Sequence, residues 1–166
     1  YLGFIFASVF IGYNMGISQV ISYNFGAGDK VELKSLLHKS LVIVGVSGVL
    51  MTTASEITAN GISRIFVGYD EGLCALPSHP TRIYMLSFLI CGFNMFVSAW
   101  FTALNNGLVS AVAAFVRTLV FELAAVFVLP HFLGIEGIWH SVNVAEVLAL
   151  ILSVVLLAAF RKRYGY

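Results

Sequence analysis

Charged residues are scarce in this chain. Of its 166 residues only 10% are Asp, Glu, Lys or Arg, whereas 60% are apolar. A soluble domain carries about 25% charged residues, because most of its surface has to meet water. The scarcity of charge excludes an ordinary water-soluble enzyme domain and indicates a protein that lies in a lipid bilayer.

Several sequence features of other protein classes are also missing. The formal net charge is only +1, which excludes the basic surface that nucleic-acid binding needs. The two cysteines, Cys74 and Cys91, lack the spacing of a metal site or a redox pair. The sequence has no HExxH motif, no phosphate loop and no nucleophile with a placed base. We therefore expect no enzyme, no cofactor, no bound metal and no nucleic-acid partner.

Long apolar runs fill most of the chain. A bilayer core about 30 Å thick needs roughly 20 apolar residues in a helix. The uncharged run 83–116 is too long for one crossing, and Asn105-Asn106-Gly107 is a turn signal that divides it. Residues 58–81 are too polar to cross, although Ile62, Ile65 and Phe66 favour a short helix at the membrane interface. The sequence thus predicts an all-α, polytopic membrane helix bundle with five transmembrane helices, segments A to E, over about 1–25, 36–57, 83–104, 109–130 and 138–160.

Lysine and arginine are distributed unevenly between the two ends of these segments. One side has Arg64 and Arg82, and the other has six basic residues, namely Lys30, Lys34, Lys39, Arg161, Lys162 and Arg163. Cytoplasmic loops carry the excess of positive residues in membrane proteins. We therefore expect a multi-pass protein of the cell inner (cytoplasmic) membrane with its C-terminus in the cytoplasm.

Polar side chains recur at helical spacing in segments A and C. Asn14 and Ser18 are four residues apart in A, with Gln19 beside them, and Asn94 and Ser98 are four residues apart in C. This spacing places side chains on one helix face, and a polar face in a membrane has to meet protein or water. The pattern predicts a substrate cavity lined by these five residues, or hydrogen bonds between helices, and the sequence leaves both open.

Two carboxylates fall inside predicted spans, Glu122 in D and Glu146 in E. Each is eight residues from the outer end of its segment, which places both about 12 Å below the outer surface. An ionisable group inside a span indicates ion or proton transfer, and the alternative is a hydrogen-bonding role or contact with the interface. Arg117, five residues before Glu122, is expected to extend toward the inner membrane surface.

Three stretches together resemble the multidrug and toxic compound extrusion (MATE) transporters. They are residues 19–28 (QVISYNFGAG); Arg82-Ile-Tyr84 with 92–94 (GFN) and 101–104 (FTAL); and Leu129-Pro130 with Gly134, 137–139 (GIW) and Ala145-Glu146. The resemblance implies that segments A to E correspond to transmembrane helices eight to twelve of a two-lobe, twelve-helix transporter. The chain would then be a fragment of the C-terminal lobe, and the N-terminal lobe of the same protein would be its partner.

The resemblance implies an antiporter that exports drugs or other organic compounds, cationic ones included, in exchange for H⁺ or Na⁺ by alternating access. Some relatives have a carboxylate in a cation site where this chain has Asn94, which can coordinate Na⁺ through its carbonyl oxygen but cannot titrate. The candidates for ion coupling are therefore Glu122, Glu146 and Asn94. Two alternatives stay open: an exporter of lipid-linked sugars, which needs a wider and more basic cavity, and a non-transporting membrane subunit or truncated product.

Overall fold

The computed structural model describes residues 2–67 and 83–166, and for 2, 56 and 58–67 it describes the backbone alone. Its helices are α1 (Leu2–Ala27), α2 (Lys30–Val67), α3 (Phe88–Ala103), α4 (Gly107–Phe115), α5 (Glu122–Leu133) and α6 (Ile135–Tyr164). A π-helical segment, Val116–Phe121, joins α4 to α5. The described residues contain helices and turns but no strand, so the predicted all-α membrane bundle is confirmed.

Four helical stretches in the described residues are long and apolar enough to cross a membrane: Gly3–Ala27, Lys30–Ser55, Gly107–Leu133 and Ile135–Tyr164. The helix α3 is equally apolar but has only 16 residues. A helical turn at 83–86 precedes it, and the two are separated at Ser87. There the Ser87 hydroxyl donates to the carbonyl oxygen of Tyr84 at 2.7 Å. The predicted segment C is therefore helical in two pieces.

The helix α2 is longer than the predicted segment B at both ends. It begins at Lys30 instead of 36, because Asp29 accepts a hydrogen bond from the backbone N–H of Glu32 at 2.9 Å. It also continues to Val67 instead of ending at 57, so the separate interfacial helix predicted after it is wrong. No proline interrupts this stretch of sequence, and the backbone can therefore stay helical. Cys74 and Arg82 lie outside the described residues.

The central element of the bundle is α3, which contacts α1, α2, α4 and α6. Its aromatic side chains Phe96, Trp100 and Phe101 are fully buried and supply most of the apolar contact. Close packing against α2 depends on Gly48, where an added Cβ would lie 3.0 Å from the carbonyl oxygen of Phe88. The 16-residue helix α3 is thus the one that α1, α2, α4 and α6 surround.

One end of the bundle holds three connections together. Asn105 adopts a positive φ of 58° in the turn between α3 and α4, and the Asn106 side chain donates to the Tyr164 hydroxyl at 2.9 Å. Gly165 ends α6 and lies against the side chain of Lys30. The two basic segments of the sequence are therefore at the same end of the bundle.

The hairpin between α5 and α6 turns at the opposite end. Gly134 has a φ of 59° there. Gly137 follows at a position where a Cβ would come within 2.7 Å of the backbone of Leu129 and Pro130. Glycine at 137 lets the two helices approach closely, which brings the side chains of the hairpin into mutual reach.

Candidate functional site

An open cavity of about 350 Å³ lies between α1, α3 and α4. Its apolar wall is formed by Ile11, Met15, Met95, Ala99 and Ala114. Its polar side chains are Asn14, Ser18, Asn94, Ser98, Thr102 and Arg117. Ligand pockets typically have volumes of about 300–1,000 Å³ and a mostly apolar lining with a few polar groups. The volume of this cavity lies in that range, and its lining combines apolar and polar side chains.

Four of the five residues predicted to line a substrate cavity meet in this one. Asn14 and Ser18 reach it from α1, and Asn94 and Ser98 reach it from α3. Gln19 does not line it and is exposed instead, because neighbouring residues on a helix point about 100° apart. Whether a substrate occupies this cavity stays a prediction.

Asn14 has an unused hydrogen-bond acceptor. Its side chain is only 7% exposed, and within the part of the chain that the structure describes its Oδ1 atom has no hydrogen-bond partner. The neighbouring Ser18 hydroxyl is already engaged with the carbonyl oxygen of Asn14 at 2.6 Å. A buried acceptor without a partner costs about 1–3 kcal/mol, which makes Asn14 our candidate for accepting a hydrogen from a substrate.

The polar stripe of α3 makes hydrogen bonds between helices as well. The hydroxyl of Ser110 on α4 lies 3.0 Å from that of Ser98 and 2.6 Å from that of Thr102. The Ser22 hydroxyl of α1 donates to the carbonyl oxygen of Ala103 at 3.0 Å. Ser98 and Thr102 thus line the cavity and also take part in hydrogen bonds between helices.

A buried ion pair between Arg117 and Glu146 adjoins the cavity. Arg117 Nη2 lies 2.6 Å from Glu146 Oε1, and Arg117 Nε lies 3.1 and 3.2 Å from the two carboxylate oxygens. Glu146 is 7% exposed. The prediction that Arg117 extends to the inner membrane surface is wrong, because a guanidinium in an apolar bundle is stabilised by a carboxylate within reach.

Asn94 extends this ion pair into a network. Its amide nitrogen donates to Glu146 Oε2 at 2.7 Å, and its amide oxygen accepts from the Ser153 hydroxyl at 3.0 Å. Arg117 also donates to the sulfur of Cys91 at 3.2 Å. The sequence did not identify Arg117, Ser153 or Cys91 as members of the site. The available signal was one basic and one acidic residue, Arg117 and Glu146, in consecutive predicted spans.

Glu122 stands apart from this network. It is exposed and is not among the residues that line the cavity. Two of the three predicted ion-coupling residues, Asn94 and Glu146, are thus in direct contact, and the third faces outward. Among the described residues no cluster of His, Cys, Asp and Glu could hold a metal ion.

Comparison with known proteins relates the chain to membrane exporters. Residues 1–128 match the model of the MatE family. The chain is 22% identical over 155 residues to the multidrug export protein MepA of Staphylococcus haemolyticus (strain JCSC1435), covering 93% of this chain and 34% of that protein.

Solved structures of the same kind share the fold. An inward-facing structure of a multidrug resistance MATE family transporter of the MOP superfamily matches with a TM-score of 0.86 at 18% identity, over 99% of this chain and 38% of that one. The Vibrio cholerae MATE transporter VcmN in its bent form matches with a TM-score of 0.87 at 17% identity, over 98% and 37%. The chain therefore spans little more than a third of the length of these relatives.

Proposed function

The chain belongs to the MatE family, and we propose on this basis that it forms part of the C-terminal lobe of a cation-coupled exporter of drugs or other small organic compounds. The observation that carries the proposal is the cavity between α1, α3 and α4, which combines an apolar wall with Asn14, Ser18, Asn94 and Ser98. Amphipathic organic molecules need this combination of surfaces, because they bury apolar area and retain a few hydrogen bonds.

The charge of the cavity supports small organic substrates over lipid-linked sugars. A diphosphate-linked sugar requires several basic groups to offset its negative charge. Among the described residues Arg117 is the only basic one in the cavity lining, and the carboxylate of Glu146 already neutralises it. Small neutral or singly charged molecules fit this electroneutral surface.

We place the end that contains Lys30 and Gly165 in the cytoplasm and the protein in the inner membrane. The excess of basic residues at this end supports the assignment. Alternating access between two lobes is supported by the similarity to solved structures. The TM-score is 0.86 for an inward-facing structure and 0.85 for an outward-facing one, as expected for a lobe that keeps its fold during transport.

Glu122 is our candidate for the group that exchanges the coupling ion, H⁺ or Na⁺. It is an ionisable residue within an apolar stretch of helix, and it is exposed on the surface of this lobe. Glu146 is held in an ion pair and Asn94 in hydrogen bonds. Glu122 is therefore the carboxylate that an ion or proton can reach with the smallest rearrangement.

The proposal is tested by drug efflux from cells or vesicles that contain the full-length transporter with Glu122→Gln. We expect a loss of ion-dependent efflux, because glutamine has nearly the same shape but cannot exchange a proton or carry a negative charge. Glu136→Gln is the matched control, since Glu136 lies in the first turn of α6, and it should leave efflux unchanged. Ion-dependent efflux that persists in Glu122→Gln would remove Glu122 from the mechanism.

A further inference from the structure

Every side chain that bonds the Glu146 carboxylate is a hydrogen donor. Its two oxygens accept from Nε and Nη2 of Arg117 and from Nδ2 of Asn94, at 2.6 to 3.2 Å. Guanidinium and amide nitrogens carry hydrogens and have no lone pair to offer. The part of the chain that the structure describes therefore surrounds the Glu146 carboxylate with donors and with the positive charge of Arg117.

The orientation of Asn94 is fixed by its other hydrogen bonds. Asn94 Nδ2 also donates to the backbone carbonyl oxygen of Glu146 at 3.0 Å, and a carbonyl can only accept, so the amide presents its nitrogen, and not its oxygen, to Glu146. The Ser153 hydroxyl donates to Asn94 Oδ1 on the other side at 3.0 Å. A monovalent cation is bound by oxygen ligands. The amide oxygen that could have joined Glu146 in such a set is already engaged.

The guanidinium separates the carboxylate from the cavity. Arg117 and Asn94 line the cavity, whereas Glu146 does not, and the side chain of Glu146 is 9% exposed against 23% for Arg117. The Cys91 sulfur on α3, 3.2 Å from Arg117 Nη2, gives the guanidinium a second partner besides Glu146. A cation in the cavity would have to displace Arg117 before it could reach Glu146.

We propose that the guanidinium of Arg117 permanently occupies the position beside Glu146 that an inorganic cation would need. No inorganic cation then exchanges at Glu146. This inference deepens the proposed export function and rests on it in one respect, that Glu122 and not Glu146 exchanges the coupling ion. The ion pair of Arg117 and Glu146 is observed within this lobe and does not depend on the proposed function. It predicts that removing the guanidinium creates a site for an exchangeable cation where the natural protein has none.

The test is thermal unfolding of the full-length transporter in detergent at mildly alkaline pH, in NaCl and in N-methyl-D-glucamine chloride at equal concentration. The natural protein and its Glu146→Gln variant should show the same difference between the two salts. Arg117→Met keeps an unbranched side chain but removes the charge and the donors. In this variant we expect Na⁺ to raise the unfolding temperature by on the order of 2–4 °C relative to the organic cation.

The double variant with Arg117→Met and Glu146→Gln is the matched control and should lose this Na⁺ effect. If Arg117→Met does not fold in the organic salt, recovery in NaCl or in guanidinium chloride below denaturing concentration supports the proposal. Failure in every salt contradicts it, and so does an Arg117→Met protein that folds without any Na⁺ effect. A Na⁺ effect in the natural protein that Glu146→Gln abolishes also contradicts it.

The thermal unfolding experiments do not require the protein to transport a substrate. If Glu122→Gln leaves efflux intact, the proposed coupling role fails while the salt experiment still decides the role of Arg117. The two proposals can therefore fail separately.

Discussion

The aromatic ring of Phe10 on α1 occupies the space beside Gly92 of α3 that a side chain at position 92 would need. Phe10 is 2% exposed, so its ring cannot move aside into the bilayer without losing its packing. The contact lies one helical turn from Asn14 along α1 and two residues from Asn94 along α3. It therefore sets the distance between the two helices that form opposite walls of the cavity.

Gly92→Ala is expected to destabilise the lobe by about 1–3 kcal/mol, because protein interiors tolerate inserted atoms poorly. Gly12→Ala is the matched control on α1, since an added Cβ at Gly12 meets nothing within 4 Å. It should be neutral or stabilising by up to about 1 kcal/mol, which is the helix-propensity gain over glycine. Thermal unfolding measures the stability of both variants. Equal effects would show that the contact between Phe10 and Gly92 contributes nothing measurable to stability.

Asn14→Leu is expected to raise stability while lowering export. Leucine has a similar size and removes a buried acceptor that lacks a partner, a gain of about 1–3 kcal/mol. The same change deletes the acceptor proposed for substrate, and losing one hydrogen bond of about 0.5–1.5 kcal/mol should weaken binding roughly 3- to 10-fold. Unfolding curves and efflux of a substrate that carries N–H donors provide the two readouts.

Asn94→Leu is the comparison variant for this prediction. Asn94 is equally buried, but its amide bonds both Glu146 and Ser153. Its loss removes one donor from Glu146, which keeps Arg117, and leaves the Ser153 hydroxyl without this acceptor, and it should cost about 1–3 kcal/mol. If Asn14→Leu destabilises the protein as Asn94→Leu does, Asn14 has a structural role that the described residues do not account for.

Asn106→Ala is expected to loosen the end of the bundle at which three connections meet. The Asn106 side chain accepts from the backbone N–H of Val109 and donates to the hydroxyl of Tyr164. Losing such a helix cap costs about 0.5–2 kcal/mol. Tyr164→Phe removes only the second bond and should cost less. A larger loss for Tyr164→Phe in unfolding experiments would contradict this assignment.

Alkaline pH is expected to weaken the packing of the C-terminal residues. Burial raises the pKa of Tyr166 from 10.0 to about 12, with a smaller increase from the neighbouring Tyr164. Because the folded pKa lies above the unfolded one, the neutral phenol stabilises the fold fully below pH 10 and progressively less toward pH 12. The stability of the natural protein relative to Tyr166→Phe should fall across this interval. A constant difference would contradict the prediction.

The sequence predicted the helical nature of the bundle well because length and hydropathy are local properties. Apolar runs of membrane-spanning length and the turn signal at Asn105-Asn106-Gly107 need no knowledge of neighbours. The length of α2 was harder to predict from the sequence. Its continuation to Val67 passes through polar residues, and hydropathy distinguishes a membrane core from water but does not distinguish a helix in water from a loop.

The candidate site was predictable in part for the same reason. Helical spacing placed Asn14 with Ser18, and Asn94 with Ser98, on common faces, but it gave no rotation of one helix against another. Counted from the turn at Gly134, Arg117 and Glu146 differ by five residues, or about 7 Å in depth. Depth alone therefore favoured Glu122 as the neighbour of Glu146. Arg117 is the observed neighbour, because its long side chain spans the difference in depth.

The π-helical segment Val116–Phe121 lies in the middle of the apolar stretch Gly107–Leu133. A wide turn of this kind accommodates one extra residue, so the helices on either side keep nearly the rotation of a continuous α-helix. Deleting one residue from the segment would therefore restore ordinary helical bonding with little change in how α4 and α5 face their neighbours. Arg117 lies inside the segment, so the direction of its side chain, and with it the pairing to Glu146, depends on the extra residue.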